Sequence, residues 1–211
     1  MPVDTIVTYT DFTHPDAAFR EKEFMQCKAD IETAVLFEAK YLRLTAGQAH
    51  PETDRRRGIE LTLDYFNRTA EFAGKNGIGL LFENHSKPGV WQYYDFAGTP
   101  EVYFDVVGRL TGTAVDLLFD TANACFYKQS PVRMLERIFE RVRRIHVADI
   151  IEGETLKPVR IGRGMVPLSG IFKFLKQAGF SGALSIEEAS FKGIDGIKKA
   201  VEITRDLWMH A

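Results

Sequence analysis

Four side chains that can bind a divalent metal ion lie far apart in the sequence. They are Glu83, Asp120, His146 and Glu187. If they meet at one place, the three carboxylates repel one another unless a cation lies between them, because unpaired buried charge is costly. A donor set of oxygens with one nitrogen favours Mn²⁺, with Mg²⁺, Co²⁺ and Zn²⁺ as alternatives. We therefore predict a centre for one divalent metal ion, with coordination positions left for substrate oxygens.

Each of these four residues stands at or near the end of a predicted β-strand. Short runs rich in branched and aromatic residues alternate with helical patterns along the whole chain, which is typical of parallel βαβ units. The predicted strands are Thr5–Thr10, Tyr41–Thr45, Ile78–Glu83, Ala114–Asp120, Arg144–Asp149 and Ala183–Glu188. The predicted helices run from Pro15 to about Glu38, from just after Thr53 to about Gly74, from Pro167 to about Ala178 and from Ile194 to the C-terminus, with two more that begin at Thr99 and Pro131.

The alternation within the strands favours an α/β fold of the (β/α) TIM-barrel type. In five of the six strands one alternate set is wholly apolar and the other is mixed or polar, as where Leu80 and Phe82 alternate with Glu83. Successive strand residues face opposite sides, and the helices of a barrel cover only its outer side. The four candidate ligands share the inner set, at the strand ends where such barrels place their active sites. A doubly wound sheet is the alternative, although no glycine-rich phosphate loop follows the first strand.

The chain length conflicts with a complete barrel. Eight βα units take about 250 residues and about 200 at the low end, yet only six strands are recognisable in these 211 residues. We expect one domain over residues 1–211 that lacks the first two βα units. The gap would leave the Thr5–Thr10 and Ala183–Glu188 strands without a mutual pairing, so that the chain is poorly stable or forms a homo-oligomer.

Composition disfavours several classes of protein. Lys and Arg number 27 against 29 Asp and Glu, so the chain has no basic footprint for nucleic acid or anionic lipid. No apolar run approaches the roughly 18 residues of a membrane helix, and the first residues do not resemble a signal peptide. Cys27 and Cys125 have no partner pattern, which indicates reduced thiols. We predict a cytoplasmic protein without nucleic-acid or membrane partners.

The four candidate ligands lie within four short motifs. In order along the chain, these motifs resemble the E-N-H, D-T-x-N, H-x-x-D and S-x-E signatures of the xylose-isomerase-like sugar phosphate isomerase/epimerase superfamily. The resemblance extends from about Thr5 to the C-terminus. The motifs here are Glu83-Asn84-His85, Asp120-Thr121-Ala122-Asn123, His146-Val147-Ala148-Asp149 and Ser185-Ile186-Glu187.

The resemblance implies that all four residues bind the metal ion and that Glu83 and Glu187 are also the catalytic acid and base. In such chemistry one carboxylate removes a proton from the carbon next to a carbonyl, which forms an enediolate, and the returning proton gives an isomer or an epimer. The implied function is a metal-dependent isomerase or epimerase. Its substrate would be a small carbohydrate: a sugar, a sugar phosphate or a related polyhydroxy carbonyl compound.

Substrate contacts are expected from four further residues at these strand ends. They are His85, Asn123, Asp149 and Arg163. His85 is equally consistent with a solvent-exposed loop histidine, and Asp149 with orienting His146 or a nearby loop. Asn123 stands where epimerases of the family often carry His. Arg163 stands where Glu is common, which indicates an anionic substrate group.

Three other functions stay open. A dehydratase of a keto-inositol or dehydroshikimate-like substrate would share the first proton transfer and then expel a β-hydroxyl group. A DNA-repair endonuclease of the related barrel family is disfavoured, because the chain has five histidines and a formal charge of −2. A non-catalytic truncated barrel would keep the ligands without a substrate site.

Overall fold

The computed structural model describes residues 3–86, 88–152 and 157–211. The chain divides into two units, Met1–Leu117 and Leu118–Ala211, and the division falls inside one strand. The expectation of one domain over residues 1–211 stays a prediction. Among the described residues, no helix is both long enough and apolar enough to cross a membrane.

The first unit alternates strands and helices, with the strand order β1-β2-β3-β4. The pairs β1–β2 and β2–β3 are parallel. Each helix begins at a side chain that accepts a main-chain N–H, as where Asp54 accepts from Arg57 and Thr99 from Val102. The elements are β1 (Thr5–Val7), α1 (Ala17–Leu36), β2 (Tyr41–Leu44), α2 (Arg55–Lys75), β3 (Gly79–Glu83), α3 (Pro100–Arg109) and the start of β4 (Val115–Asp120).

The second unit continues the alternation, with the strand order β4-β5-β8. The β5–β8 pair is parallel, whereas β6 and β7 form a separate antiparallel pair. Two short 3₁₀ helices, Asn123–Tyr127 and Phe139–Arg141, flank α4. The elements are the end of β4, α4 (Pro131–Ile138), β5 (Val142–Val147), β6 (Asp149–Ile151), β7 (Lys157–Val159), α5 (Leu168–Gln177), β8 (Ala183–Ile186) and α6 (Gly193–His210).

Alternate residues of β3 face the helices and the site. Phe82 is fully buried, and its ring lies 5.2 Å from that of Phe66 on α2 and 5.4 Å from that of Tyr103 on α3. Because strand residues alternate, Leu81 and Glu83 face away from these helices. This is the arrangement that the sequence pattern predicted.

All six predicted strands differ from the observed ones in their bounds, the first and the fifth the most. The first strand ends at Val7 rather than Thr10, because threonine side chains replace the main-chain ladder at Thr10. The N–H of Thr10 donates to Thr45 Oγ1 (3.0 Å), and that hydroxyl donates to the carbonyl of Thr10 (2.9 Å). The fifth strand begins at Val142 and ends at Val147, and the unpredicted β6–β7 pair begins at Asp149.

Candidate active site

In the second unit, three of the predicted ligands converge. Asp120 ends β4, His146 lies on β5 and Glu187 follows β8 directly. One ligand-type atom from each lies within 4.8 Å of the others. The His146 imidazole Nδ1 and Glu187 Oε1 are 2.9 Å apart. Asp120 and His146 are buried, whereas the Glu187 side chain is half exposed, so the cluster is open to solvent on the Glu187 side.

The donor chemistry of this cluster fits a divalent ion. Two carboxylates and an imidazole supply the oxygen and nitrogen ligands that Mn²⁺, Mg²⁺, Co²⁺ and Zn²⁺ accept. Main-chain contacts hold these three residues in place. Asp120 Oδ1 accepts the N–H of Asn123, which fixes the carboxylate at the start of a 3₁₀ turn. The backbone of His146 pairs with that of Ser185, and the N–H of Glu187 donates to the carbonyl of Val147 (3.0 Å).

The fourth predicted ligand, Glu83, ends β3 in the first unit and is 1% exposed. Arg43 of β2 lies beside it, with Arg43 Nε 2.9 Å from Glu83 Oε2. The Arg43 guanidinium also stacks over the Tyr9 ring, 4.7 Å from its centroid, and donates to the carbonyl of Thr8. These contacts hold the Arg43 guanidinium in place and keep its positive charge next to the Glu83 carboxylate.

His85 is buried, so the alternative of a solvent-exposed loop histidine is wrong. Its side chain is 8% exposed, and its Nδ1 lies 3.3 Å from Oδ2 of Asp95. The imidazole packs edge-on against Tyr9 and Trp91, with centroid distances of 5.6 Å in both cases. The first unit therefore has an aromatic cluster of Tyr9, His85 and Trp91.

Asn123 and Cys125 lie in the 3₁₀ turn that follows β4. The main-chain N–H of Asn123 donates to Oδ1 of Asp120, so this turn begins at the three-ligand cluster. Burial, together with the charges of Asp120 and Asp149, raises the pKa of the Cys125 thiol to about 11. A thiol with this pKa is protonated at neutral pH, which disfavours a nucleophilic role for Cys125.

The carboxylate of Asp149 is hydrogen-bonded to the loop before α5. Its carboxylate accepts the main-chain N–H groups of Ile150, Gly162, Gly164 and Val166 at 2.8–3.1 Å. A Cβ on Gly164 would lie 2.1 Å from Asp149 Oδ1, so only glycine fits there. Asp149 therefore holds this loop, and Arg163 is exposed on it.

Replacing Asp149 is expected to loosen this loop. Asp149→Ala leaves four main-chain N–H groups without their acceptor. The free energy of unfolding should fall by about 3 kcal/mol, measured by urea denaturation, because the donors of Ile150 and Val166 are buried and unsatisfied buried donors are costly. The amides of Gly162 and Gly164 should also exchange faster with deuterium. Asp206→Ala, at an exposed position of α6, is the control. A loss below about 1 kcal/mol would contradict this role.

Comparison with known families decides what kind of barrel this is. A family model described as "Xylose isomerase-like TIM barrel" matches residues 1–207. The chain belongs to this family. Its six parallel strands are therefore those of a TIM-barrel fold, which confirms the predicted fold class.

Solved structures support the family fold. The structure of the IOLI protein with a binding zinc atom has a TM-score of 0.80 and 17% identity, covering 98% of this chain and 77% of its own. A D-tagatose 3-epimerase-like protein has a TM-score of 0.81 and 18% identity, covering 97% of this chain and 77% of its own. At these identities the likeness shows the TIM-barrel fold alone.

Relatives that match part of the sequence carry the names of enzymes. Inosose dehydratase from Clostridium botulinum (strain Alaska E43 / Type E3) is 28% identical over 137 residues, which cover 57% of this chain and 44% of that protein. The chain thus spans less than half the length of this relative.

Several residues of the site were not found from the sequence. Arg43 lies beside Glu83, and none of the four motifs indicates this contact. Tyr9 follows β1, and the alternation of residues along that strand only weakly indicates that Tyr9 approaches His85. Asp95 lies in an irregular loop, and its pairing with His85 has no periodic signal at all.

Proposed function

We propose that this chain binds one divalent metal ion through Glu83, Asp120, His146 and Glu187 and transfers protons at a carbon next to a carbonyl. The observation that carries the proposal is the convergence of Asp120, His146 and Glu187 in the second unit. Glu83 joins the set because it ends β3, the neighbour of β4 in the strand order, on the inner phase of the strand. The products would be isomers or epimers of a small polyhydroxy carbonyl compound.

Mn²⁺ is our first choice of ion, because carboxylate oxygens outnumber nitrogen in the donor set. Mg²⁺, Co²⁺ and Zn²⁺ are the alternatives, and the structure of the IOLI protein with a binding zinc atom supports Zn²⁺. When bound, such an ion would polarise the oxygens of a hydroxy carbonyl substrate and make the adjacent C–H more acidic.

The chain's own residues would move the proton. Arg43 keeps a positive charge beside the Glu83 carboxylate, and the His146 imidazole lies 2.9 Å from the Glu187 carboxylate. With one carboxylate on each side of the substrate carbon, the first removes the proton and an enediolate forms. The protonated partner then returns a proton to the neighbouring carbon, which isomerises, or to the opposite face, which epimerises. His85, Asn123 and Arg163 are the proposed substrate contacts.

Dehydration is the second candidate, and the curated relatives favour it. These proteins are named inosose dehydratases. A dehydratase would begin with the same proton transfer, but the electron pair of the enediolate would then expel a β-hydroxyl group, which leaves as water after taking up a proton.

A product screen separates the two candidates. The purified chain is titrated with Mn²⁺, Mg²⁺, Co²⁺ and Zn²⁺ and incubated with ketoses, ketose phosphates and keto-inositols in ²H₂O. Isomerisation or epimerisation should give a product of unchanged mass apart from one solvent deuteron. Dehydration should give a product that has lost one water. Metal-independent turnover, or no turnover on any of these substrates, would contradict the proposal.

A further inference from the structure

Beyond the proposed ligands, the first unit contains a buried imidazole–carboxylate pair. The N–H of His85 donates to the carbonyl of Glu83 (3.0 Å), which turns the chain so that the imidazole lies beside the end of β3. Its Nδ1 faces Oδ2 of Asp95 at 3.3 Å. Among the described residues, no hydrogen bond engages its Nε2. One ring nitrogen is thus committed to Asp95, and the other is available to a ligand.

The carboxylate of Asp95 is held in place by contacts other than that with the imidazole. It is 2% exposed, and its other oxygen, Oδ1, accepts the N–H of Ala97 at 2.8 Å. Its own N–H donates to the carbonyl of Ser86. Burial raises the pKa of Asp95, and the hydrogen bond with His85 opposes that rise. The carboxylate is therefore a fixed acceptor whose two oxygens have different partners.

The loop that contains Asp95 is hydrogen-bonded to the segment after β2. Gln48 Oε1 accepts the N–H groups of Gln92 (2.9 Å) and Tyr93 (3.1 Å). The Gln48 amide nitrogen in turn donates to Oδ2 of the buried Asp11 (2.9 Å). The main chain adds a bond from Phe96 N–H to the carbonyl of Gly47 (2.7 Å). These hydrogen bonds hold the loop, and with it Asp95, in place.

We propose that Asp95 is a positioning residue that holds His85 as the tautomer with its proton on Nδ1. The neutral imidazole then offers Nε2 as a hydrogen-bond acceptor, next to the rings of Tyr9 and Trp91. A substrate hydroxyl is the group that such a nitrogen would accept from, and the two aromatic rings suit the apolar face of a carbohydrate. The substrate part of this inference rests on the proposed function, whereas the tautomer does not.

Nitrogen NMR of the imidazoles tests the tautomer without a substrate. In protein labelled with ¹⁵N-histidine at neutral pH, the His85 signals, assigned by their absence in His85→Gln, should show a protonated Nδ1 and an unprotonated Nε2. Asp95→Asn should invert this pattern. With Oδ1 still bound to the Ala97 N–H, the new amide group faces the imidazole as a donor, so Nδ1 must accept and Nε2 must carry the proton. Asp64→Asn, at an exposed position of α2, should leave the tautomer unchanged.

Turnover tests whether the tautomer matters. Asp95→Asn should lower kcat/KM for the best substrate by about 10- to 100-fold, as expected for a residue that orients a substrate contact. An Nε2-protonated His85 in the wild-type chain would overturn the proposal, even if Asp95→Asn fails to fold. So would a folded Asp95→Asn protein with an unchanged tautomer, or one with an inverted tautomer and unchanged kcat/KM. If NMR shows the predicted tautomers but the chain turns over no substrate, the Asp95 assignment is supported and the proposed function is contradicted.

Discussion

Glu83→Gln and Glu187→Gln are each expected to lower turnover by about 10²-fold or more while the fold is retained. Glutamine keeps the size and hydrogen-bonding oxygen of each side chain but cannot take up the substrate proton. Solvent deuterium should enter the product at the enolised carbon with the wild-type chain, and its incorporation should fall in step with turnover in both variants. Rates of product formation and mass spectrometry of the product measure the two effects.

The control for these variants is Glu136→Gln, which removes one exposed carboxylate from α4 and should leave turnover unchanged. Circular dichroism of all three proteins checks that the helices are retained. Full activity in the double variant of Glu83 and Glu187 would contradict proton transfer by these carboxylates. A product without solvent deuterium points the same way, provided that partial internal return of the proton is excluded at low conversion.

Metal binding is expected to depend on Asp120 and His146. Asp120→Ala and His146→Ala each remove one donor from the cluster. The affinity for Mn²⁺ or Zn²⁺ should fall by more than about 10²-fold, because replacing a residue that only supports a ligand already lowers metal affinity by about 10- to 100-fold. Competition with a chromophoric chelator measures the affinity. Because binding to the folded chain stabilises it, the wild type should also melt at a higher temperature with metal than without, and the variants should not.

A matched histidine is available as the control for this experiment. His210→Ala removes an exposed imidazole from the end of α6, where Nδ1 contacts the carbonyl of Asp206. Its affinity for metal should equal that of the wild type. Equal affinities in His146→Ala and the wild type would mean that the ion binds elsewhere, and the proposed centre would then be wrong.

The sequence alone determined the fold class and the positions of the candidate ligands. Strand alternation has a period of two whatever the strand packs against, so the apolar set of Leu80 and Phe82 and the inner position of Glu83 are readable without coordinates. Parallel strands also bring their C-terminal ends to the same edge, which made Asp120, His146 and Glu187 candidates for one site. Helix starts such as Thr99-Pro100 were readable because capping depends on adjacent residues.

Only the tertiary structure decided which partners hold the site residues in place. Arg43 and Glu83 lie on neighbouring strands, and the strand pattern shows that both face inward but not that the two side chains meet. Asp95 reaches His85 from an irregular loop, and the carboxylate of Asp149 gathers N–H groups from residues up to 17 positions away.

The sequence did not indicate the β6–β7 pair or the contacts of Asp95 and Asp149, and the physical reason is the same in each case. Each depends on the path of a loop, which is set by many weak main-chain hydrogen bonds and by special positions such as Gly47, with its φ of +125°, rather than by a repeating pattern of side chains. Periodic elements are encoded locally and can be read residue by residue. The loops that orient His85 and the segment before α5 take their shape from contacts that exist only once the strands have been brought together.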